Sequence, residues 1–150
     1  MHKKLLAVII LASILAACMF ISCSGQGEPP EGMISINGEE KKLAKGSYQW
    51  TTRYMLSSQT VGTDAASPNQ MAEYIKAIQI EKQTIAAVVF KDGSKPVLHA
   101  YIWKQNERSA ELATKDNQLV LPTEKGKHVI EITAKWPKGN ASYTFVAEVK

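Results

Sequence analysis

His99 and His128 are the side chains of this chain best placed by type to move a proton or bind a metal near neutral pH. Asp64 is the carboxylate that could act with one of them. A Ser–His–Asp group follows no fixed order along a chain, so residue types alone leave one open. Spacing does not favour it. The sequence has no Gly-x-Ser-x-Gly elbow, no Gly-rich phosphate loop and no dinucleotide fingerprint. It has no His-x-x-x-His, Cys-x-x-Cys or His/Met cluster, so no metal and no cofactor is expected. Glu39-Glu40 beside Lys41-Lys42 reads as a solvated charged turn rather than an acid–base pair. No residue is therefore nominated as catalytic.

Three residues are candidates for ligand binding: Trp50, Asp64 and Trp103. Trp50 and Asp64 cluster with Pro68 in the least regular region of the chain. A carboxylate beside an aromatic ring could hold a cationic or hydroxylated ligand. The competing reading is that Trp50 fills the core and Asp64 caps loop N–H groups. Tyr48, Trp50, Tyr101 and Trp103 could form an exposed aromatic stripe, although aromatics in strands more often pack in the sheet. His99 shares a strand face with Tyr101 and Trp103. His128 opens a strand after Gly126 and reads as a corner residue.

The two cysteines, Cys18 and Cys23, both lie near the N-terminus. His2, Lys3 and Lys4 precede an apolar run from Leu5 to Ala17 interrupted by Ser13, the pattern of a secretory signal. Leu15-Ala16-Ala17-Cys18 matches a lipobox, in which the cysteine sulfur takes a diacylglycerol and the chain is cut before it. Cys23 is the alternative: Phe20-Ile21-Ser22 fits the box less well, but Ser24-Gly25-Gln26-Gly27 after it suits a tether. The expected organisation is a signal peptide over 1–17, a lipidated N-terminus and flexible tether over 18–32, and one domain over 33–150. An uncleaved anchor over 5–21 would nearly span a bilayer and is the competing reading. In either case the domain faces outward from the cell membrane.

Loss of Lys3 and Lys4 would take Lys plus Arg from 18 to 16 against 14 acidic residues, so the charge falls from +4 to +2. A charge this small excludes nucleic acid as an electrostatic partner. It leaves the membrane, through the lipid, and an envelope protein or wall polymer as expected partners. The domain contains no cysteine, so it folds without disulfides or thiolate metal sites.

The elements that must position these residues are mostly strands. Period-two alternation appears at 33–36, 47–52, 129–136 and 142–149. Apolar runs at 84–90 and 97–103 read as central strands, and 110–114 and 118–121 flank a Lys-Asp-Asn turn. Asn37-Gly38, Asp92-Gly93 and Pro137-Lys138-Gly139-Asn140 supply turns. Arg53 to Leu56 could continue the second strand, and 61–64 reads as loop. Ser67-Pro68-Asn69-Gln70 predicts a capped helix start, with Met71, Tyr74, Ile75 and Ile78 at helical spacing. The expectation is an all-β, immunoglobulin-like antiparallel β-sandwich of about eight strands, with one short helix near residues 68–76.

Gly46-Ser47-Tyr48-Gln49-Trp50, Asp64, Ser67-Pro68, Gly126-Lys127-His128 before a strand ending in Trp136, and Tyr143-Thr144-Phe145 form a set of short motifs across residues 33–150. In these the chain resembles small Gram-positive, Bacillus-type lipoproteins of unknown function with an immunoglobulin-like sandwich. The resemblance implies the sandwich and the membrane location and implies no reaction. That family often has Tyr where this chain has His128, which leaves open the corner hydrogen bond a Tyr hydroxyl would make. The expected function is a non-catalytic binding or interaction module. The alternatives are a sensor or inhibitor domain with a dedicated envelope partner, and a secreted hydrolase or metal-handling protein in which His99 or His128 meets Asp64.

Overall fold

The computed structural model describes residues 27–150. Cys18, Cys23 and the 1–17 segment lie outside the described residues. Twelve strands form two sheets. They are β1 (Gly32–Ile36), β2 (Glu39–Lys42), β3 (Ala44–Arg53), β4 (Ser58–Thr63), β5 (Ile78–Ile80), β6 (Ile85–Phe90), β7 (Val97–Lys104), β8 (Glu107–Leu112), β9 (Thr114–Lys115), β10 (Gln118–Val120), β11 (Gly126–Trp136) and β12 (Gly139–Val149). A helix, α1 (Pro68–Ala72), lies between β4 and β5.

The five-stranded sheet has the order β2-β1-β6-β10-β9. The seven-stranded sheet runs β4-β3-β12-β11-β7-β8, with β5 also on β12. Every pairing is antiparallel except β5 on β12. The fold is thus an all-β antiparallel sandwich with one short helix, as the alternation implied.

Three of the hairpins turn on two residues that both have positive φ: Asn37-Gly38, Gln105-Asn106 and Asp116-Asn117. That geometry matches the right-handed twist of the flanking strands, and Asn, Asp and Gly tolerate it best. The inner faces alternate as period two requires. Ile130, Ile132, Ala134 and Trp136 of β11 point inward beside Tyr143, Phe145 and Ala147 of β12, and all are buried. Ile34, Val88, Phe90 and Leu119 close the core from the other sheet. Phe90 meets the edges of Trp136 and Tyr143 at centroid distances of 4.9 and 5.5 Å.

Four strands exceed the eight read from the sequence: β2, β4, β5 and β9. Each is short or lies at a sheet edge, and only β5, Ile78-Gln79-Ile80, alternates, over too few residues to be read as a strand. Glu39–Lys42 is exposed at all four residues, and β4 buries only Val61 in part. An edge strand is held by backbone hydrogen bonds, and charged side chains suit it. The charged segment 39–42 is therefore solvated as expected, but as a strand rather than a turn. Of residues 61–64, read as loop, 61–63 supply the end of β4, and Arg53 closes β3 instead of leading it through Leu56. The helix is shorter than 68–76, because Ile78 leaves helical spacing to pair with Ala147 of β12.

The chain docks onto the domain before residue 33. Pro29 is fully buried, and its carbonyl accepts from Lys45 Nζ at 2.6 Å. The Tyr143 hydroxyl donates to the Pro30 carbonyl at 2.7 Å. Glu31 forms ion pairs with Lys42 and Lys91. The last residues of the expected 18–32 tether are consequently part of the folded unit. Proline-rich composition suggested a linker, but fixed prolines lose little entropy on docking.

Candidate functional site

The outer face of the seven-stranded sheet carries the densest cluster of polar and aromatic side chains. Outward positions of β7 are Val97, His99, Tyr101 and Trp103. Those of β11 are Val129, Glu131, Thr133 and Lys135. The register sets Glu131 beside Tyr101 and Val129 beside Trp103, and it sets Arg108 of β8 opposite Trp103. An irregularity in the β7–β8 pairing falls between Ile102 and Trp103. A local bulge of this kind re-aims nearby side chains.

Glu131 is only 6 % exposed although it points away from the core. Its Oε2 accepts from Trp103 Nε1 at 2.7 Å and from Arg108 Nε at 2.8 Å. Its Oε1 accepts from Arg108 Nη2 at 3.2 Å. The guanidinium thus meets the carboxylate as a fork, the geometry that Arg provides and Lys cannot. Arg108 also lies over the Tyr101 ring, with Cζ 4.3 Å from the centroid. The hydrogen bond to Glu131 holds the Arg108 guanidinium above its ordinary range, against the opposing effect of partial burial.

His99 and Glu111 extend the cluster. His99 Nδ1 is 2.9 Å from Glu111 Oε1, and both side chains are about half exposed. The His99 ring stacks on Tyr101 at 6.4 Å between centroids. Contacts therefore run without a break from Glu111 through His99, Tyr101 and Arg108 to Glu131 and Trp103.

The segment before and within α1 roofs part of this face. Ser67 caps the helix: its hydroxyl accepts from Gln70 N–H, and Gln70 Oε1 accepts from Ser67 N–H at 3.0 Å. This is the capping box implied by Ser-Pro-Asn-Gln. Pro68 is buried, and the helix lies over β11, β12 and β7. Beneath it Thr144 is buried, with its hydroxyl 3.9 Å from Met71 Sδ. Between the roof and the sheet lies a groove of about 580 Å³, lined among others by Pro68, His99, Trp103, Arg108, Glu131 and Ser142.

The sequence candidates are divided by this arrangement. Trp103 and His99 share the groove. Trp50 points the other way, into the core, where it is 6 % exposed and meets Trp136 edge-on at 5.4 Å. Asp64 is exposed in the segment after β4 and does not line the groove. The aromatic stripe is split as well: Tyr48 packs against the core with Trp50, while Tyr101 and Trp103 face outward. His128 is buried at a corner, and its Nε2 bonds the Glu124 carbonyl at 2.7 Å. The histidine thus makes the kind of backbone bond that a corner tyrosine makes. His99 and His128 lie on opposite faces of one sheet, so they do not meet. Among the described residues no group of three His, Cys, Asp or Glu side chains could hold a metal ion.

Arg108, Glu111 and Glu131 were not singled out by sequence. Glu131 alternates out of phase with the apolar residues of β11, which is the pattern of a solvated position. Its side chain is covered by Arg108 and Trp103, both distant in sequence.

No protein-family model, curated protein or solved structure matches this chain. Fold and site therefore define it as a two-sheet antiparallel β-sandwich with a charged, aromatic groove on one outer face. No helix among the described residues is long and apolar enough to cross a membrane.

Proposed function

We propose that this chain is an extracytoplasmic lipoprotein, anchored to the cell membrane through Cys18 or Cys23, and that its domain is a non-catalytic binding module. The ligand occupies the groove beneath α1, on the outer face of the seven-stranded sheet. One observation carries this reading: a carboxylate, Glu131, is buried outside the hydrophobic core and fixed by three hydrogen bonds. Burying a charge is costly unless it is paired, and a fold has little use for it on an otherwise open face. Here it locks the orientation of Arg108 and Trp103 at the groove wall. Preorganised polar groups and flat rings are what a binding site needs.

The arrangement supports binding over catalysis. Glu131 is held by Arg108 and Trp103, and the hydrogen bond of His99 runs to the Glu111 carboxylate rather than to a hydroxyl, so neither is paired with a nucleophile. Arg108 keeps about half of its side chain exposed and has donors free of Glu131. The ligand class that fits is an envelope protein or a wall polymer bearing hydroxyl or carboxylate groups.

The test is site-specific photo-crosslinking in the full chain, in its own membranes. A crosslinker at Val97 or Lys135 should capture a wall polymer or one envelope protein. Arg108→Ala should abolish that product. Equal capture from a crosslinker at Glu107, outside the groove, would sink the reading. Mass spectrometry of the mature N-terminus tests the anchor separately, since an intact Met1 or unacylated cysteines would refute it.

A further inference from the structure

The loop between β3 and β4 carries three exposed apolar side chains in a row. Tyr54 is 54 % exposed, and Met55 and Leu56 are each 99 % exposed. The loop is well formed: Arg53 pairs with Ser58, and Tyr54 N–H donates to the Ser57 carbonyl at 2.7 Å. A solvent-facing hairpin tip ordinarily has polar residues. Singly scattered apolar residues need no explanation, but three together at the farthest point of a strand pair do.

The position of the tip in the fold suggests what covers it. Trp50 pairs with Gly139, which follows the Pro137-Lys138 turn, and Thr51 N–H donates to the Lys138 carbonyl at 2.8 Å. The Lys91–Pro96 loop is at the same end, because Trp136 Nε1 donates to Ser94 Oγ at 2.8 Å. The N-terminal segment docks toward this end too, since Gly32 pairs with Phe90 and Lys91 N–H donates to the Glu31 carbonyl. Arg53, Lys95 and Lys138 are exposed here, and among the described residues none of them forms an ion pair. The acids at this end are engaged. Glu31 pairs with Lys42 and Lys91, and Asp92 accepts from Ser94 N–H.

We infer that this end of the sandwich docks on an anionic lipid bilayer, with Tyr54, Met55 and Leu56 entering the interface and Arg53, Lys95 and Lys138 facing the headgroups. The inference rests on the lipoprotein reading, with Cys18 as the lipid-bearing residue. Aromatic side chains favour the headgroup level, and apolar residues flanked by basic ones bind anionic surfaces. The number of residues before Glu28 agrees. Eight residues of β3 separate Lys45, which holds Glu28, from Arg53, about 27 Å at ~3.4 Å per residue. Ten residues from Cys18 to Glu28 reach roughly 35 Å when extended, and five from Cys23 reach roughly 18 Å. With β3 upright on the bilayer, only a lipid on Cys18 lets the tip arrive.

The experiment uses the full chain, purified from membranes and placed in vesicles of phosphatidylglycerol and brominated phosphatidylcholine. Tyr54→Trp should give tryptophan emission quenched at least about twofold more than that of Glu107→Trp, which is at the opposite end of the sheet. Adding Met55→Asp and Leu56→Asp should return the quenching at position 54 to the level of position 107. Both changes are at exposed sites and leave the core untouched. Mass spectrometry of the same sample reports acylation. If the chain is acylated and position 54 stays unquenched, the tip faces solvent or a protein and docking is overturned while the lipoprotein reading stands. If no acyl group is found, quenching of added chain still supports docking, and its absence overturns both.

Discussion

Arg108 and Glu131 meet through two hydrogen bonds, 2.8 and 3.2 Å long, from strands that are not neighbours in the sheet. Arg108 reaches across β7 and over the Tyr101 ring to do so. The pair is asymmetric, because the Arg108 side chain is 47 % exposed and the Glu131 side chain 8 %. Arg108→Ala leaves a buried carboxylate held only by Trp103. A loss of about 2 kcal/mol in unfolding free energy is expected, at the modest end for a charge-assisted pair because water reaches the arginine. Urea denaturation of Arg108→Ala, Glu131→Leu and the double variant should show the double change costing less than the sum. Strict additivity would mean that the two groups are not coupled.

Tyr143 ties the N-terminal segment to the core. It is fully buried, and burial raises its hydroxyl well above the ordinary tyrosine range, so it stays a neutral donor to the Pro30 carbonyl. Tyr143→Phe keeps the ring contacts with Phe90 and removes that donor. About 1–2 kcal/mol of stability should be lost. Amide exchange should quicken at Glu31 and Gly32 before it does at Ile130 or Ile132. Unchanged exchange at Glu31 would show that the hydroxyl does not hold the segment.

Glu31 between Lys42 and Lys91 supplies a pH signature. Hydrogen bonds from Lys42 and then Lys91 hold its carboxyl down at about 2, against an ordinary 4.5. A depressed folded value means that its contribution is complete above about 4.5 and is lost as pH falls through about 2. Carboxyl carbon shifts followed by NMR should show this late titration. Lys42→Ala should move the midpoint upward, toward 4.5. A midpoint already near 4.5 in the parent chain would show that the ion pairs do not persist in solution.

Gly139 has a conformational requirement that Gly93 does not share. A Cβ at Gly139 would sit 2.0 Å from the Gln49 carbonyl oxygen, with φ at +155°. At Gly93, φ is +72° and nothing lies within 4 Å. Gly139→Ala must push β12 from β3 where Gly139 pairs with Trp50, whereas Gly93→Ala incurs backbone strain alone. The Gly93 change should cost about 1 kcal/mol and the Gly139 change clearly more. Thermal denaturation of the two variants decides the order, and equal melting temperatures would refute it.

Much of the sandwich was legible because its long strands are amphipathic. Ile130 to Trp136 and Tyr143 to Val149 alternate so cleanly that a one-residue slip would expose the whole inner set. Asn37-Gly38 and the Ser67–Gln70 cap were equally plain, since both are local chemistry. Strands β2, β4, β5 and β9 were not legible. They lie at edges or are two or three residues long, and edge strands follow backbone pairing with neighbours rather than any pattern of their own. Gln105-Asn106 was missed as a turn because glutamine rarely takes positive φ.

The candidate residues divide along the same line. Sequence by itself determined that Trp50 and Trp103 lie on strands, that the domain has no thiol, and that both cysteines, Cys18 and Cys23, precede it. It could not determine which face Trp103 takes, since β7 has apolar residues on both sides, and in β3 it placed Tyr48 and Trp50 on one face without saying whether that face is core or surface. Only the tertiary structure decided that Trp50 belongs to the core and Trp103 to the groove. It also decided that Glu131, outward by period, is buried. The reason is non-local: its hydrogen-bond partners are Arg108 from β8 and Trp103 from β7, and no pattern within β11 encodes which strands will flank it.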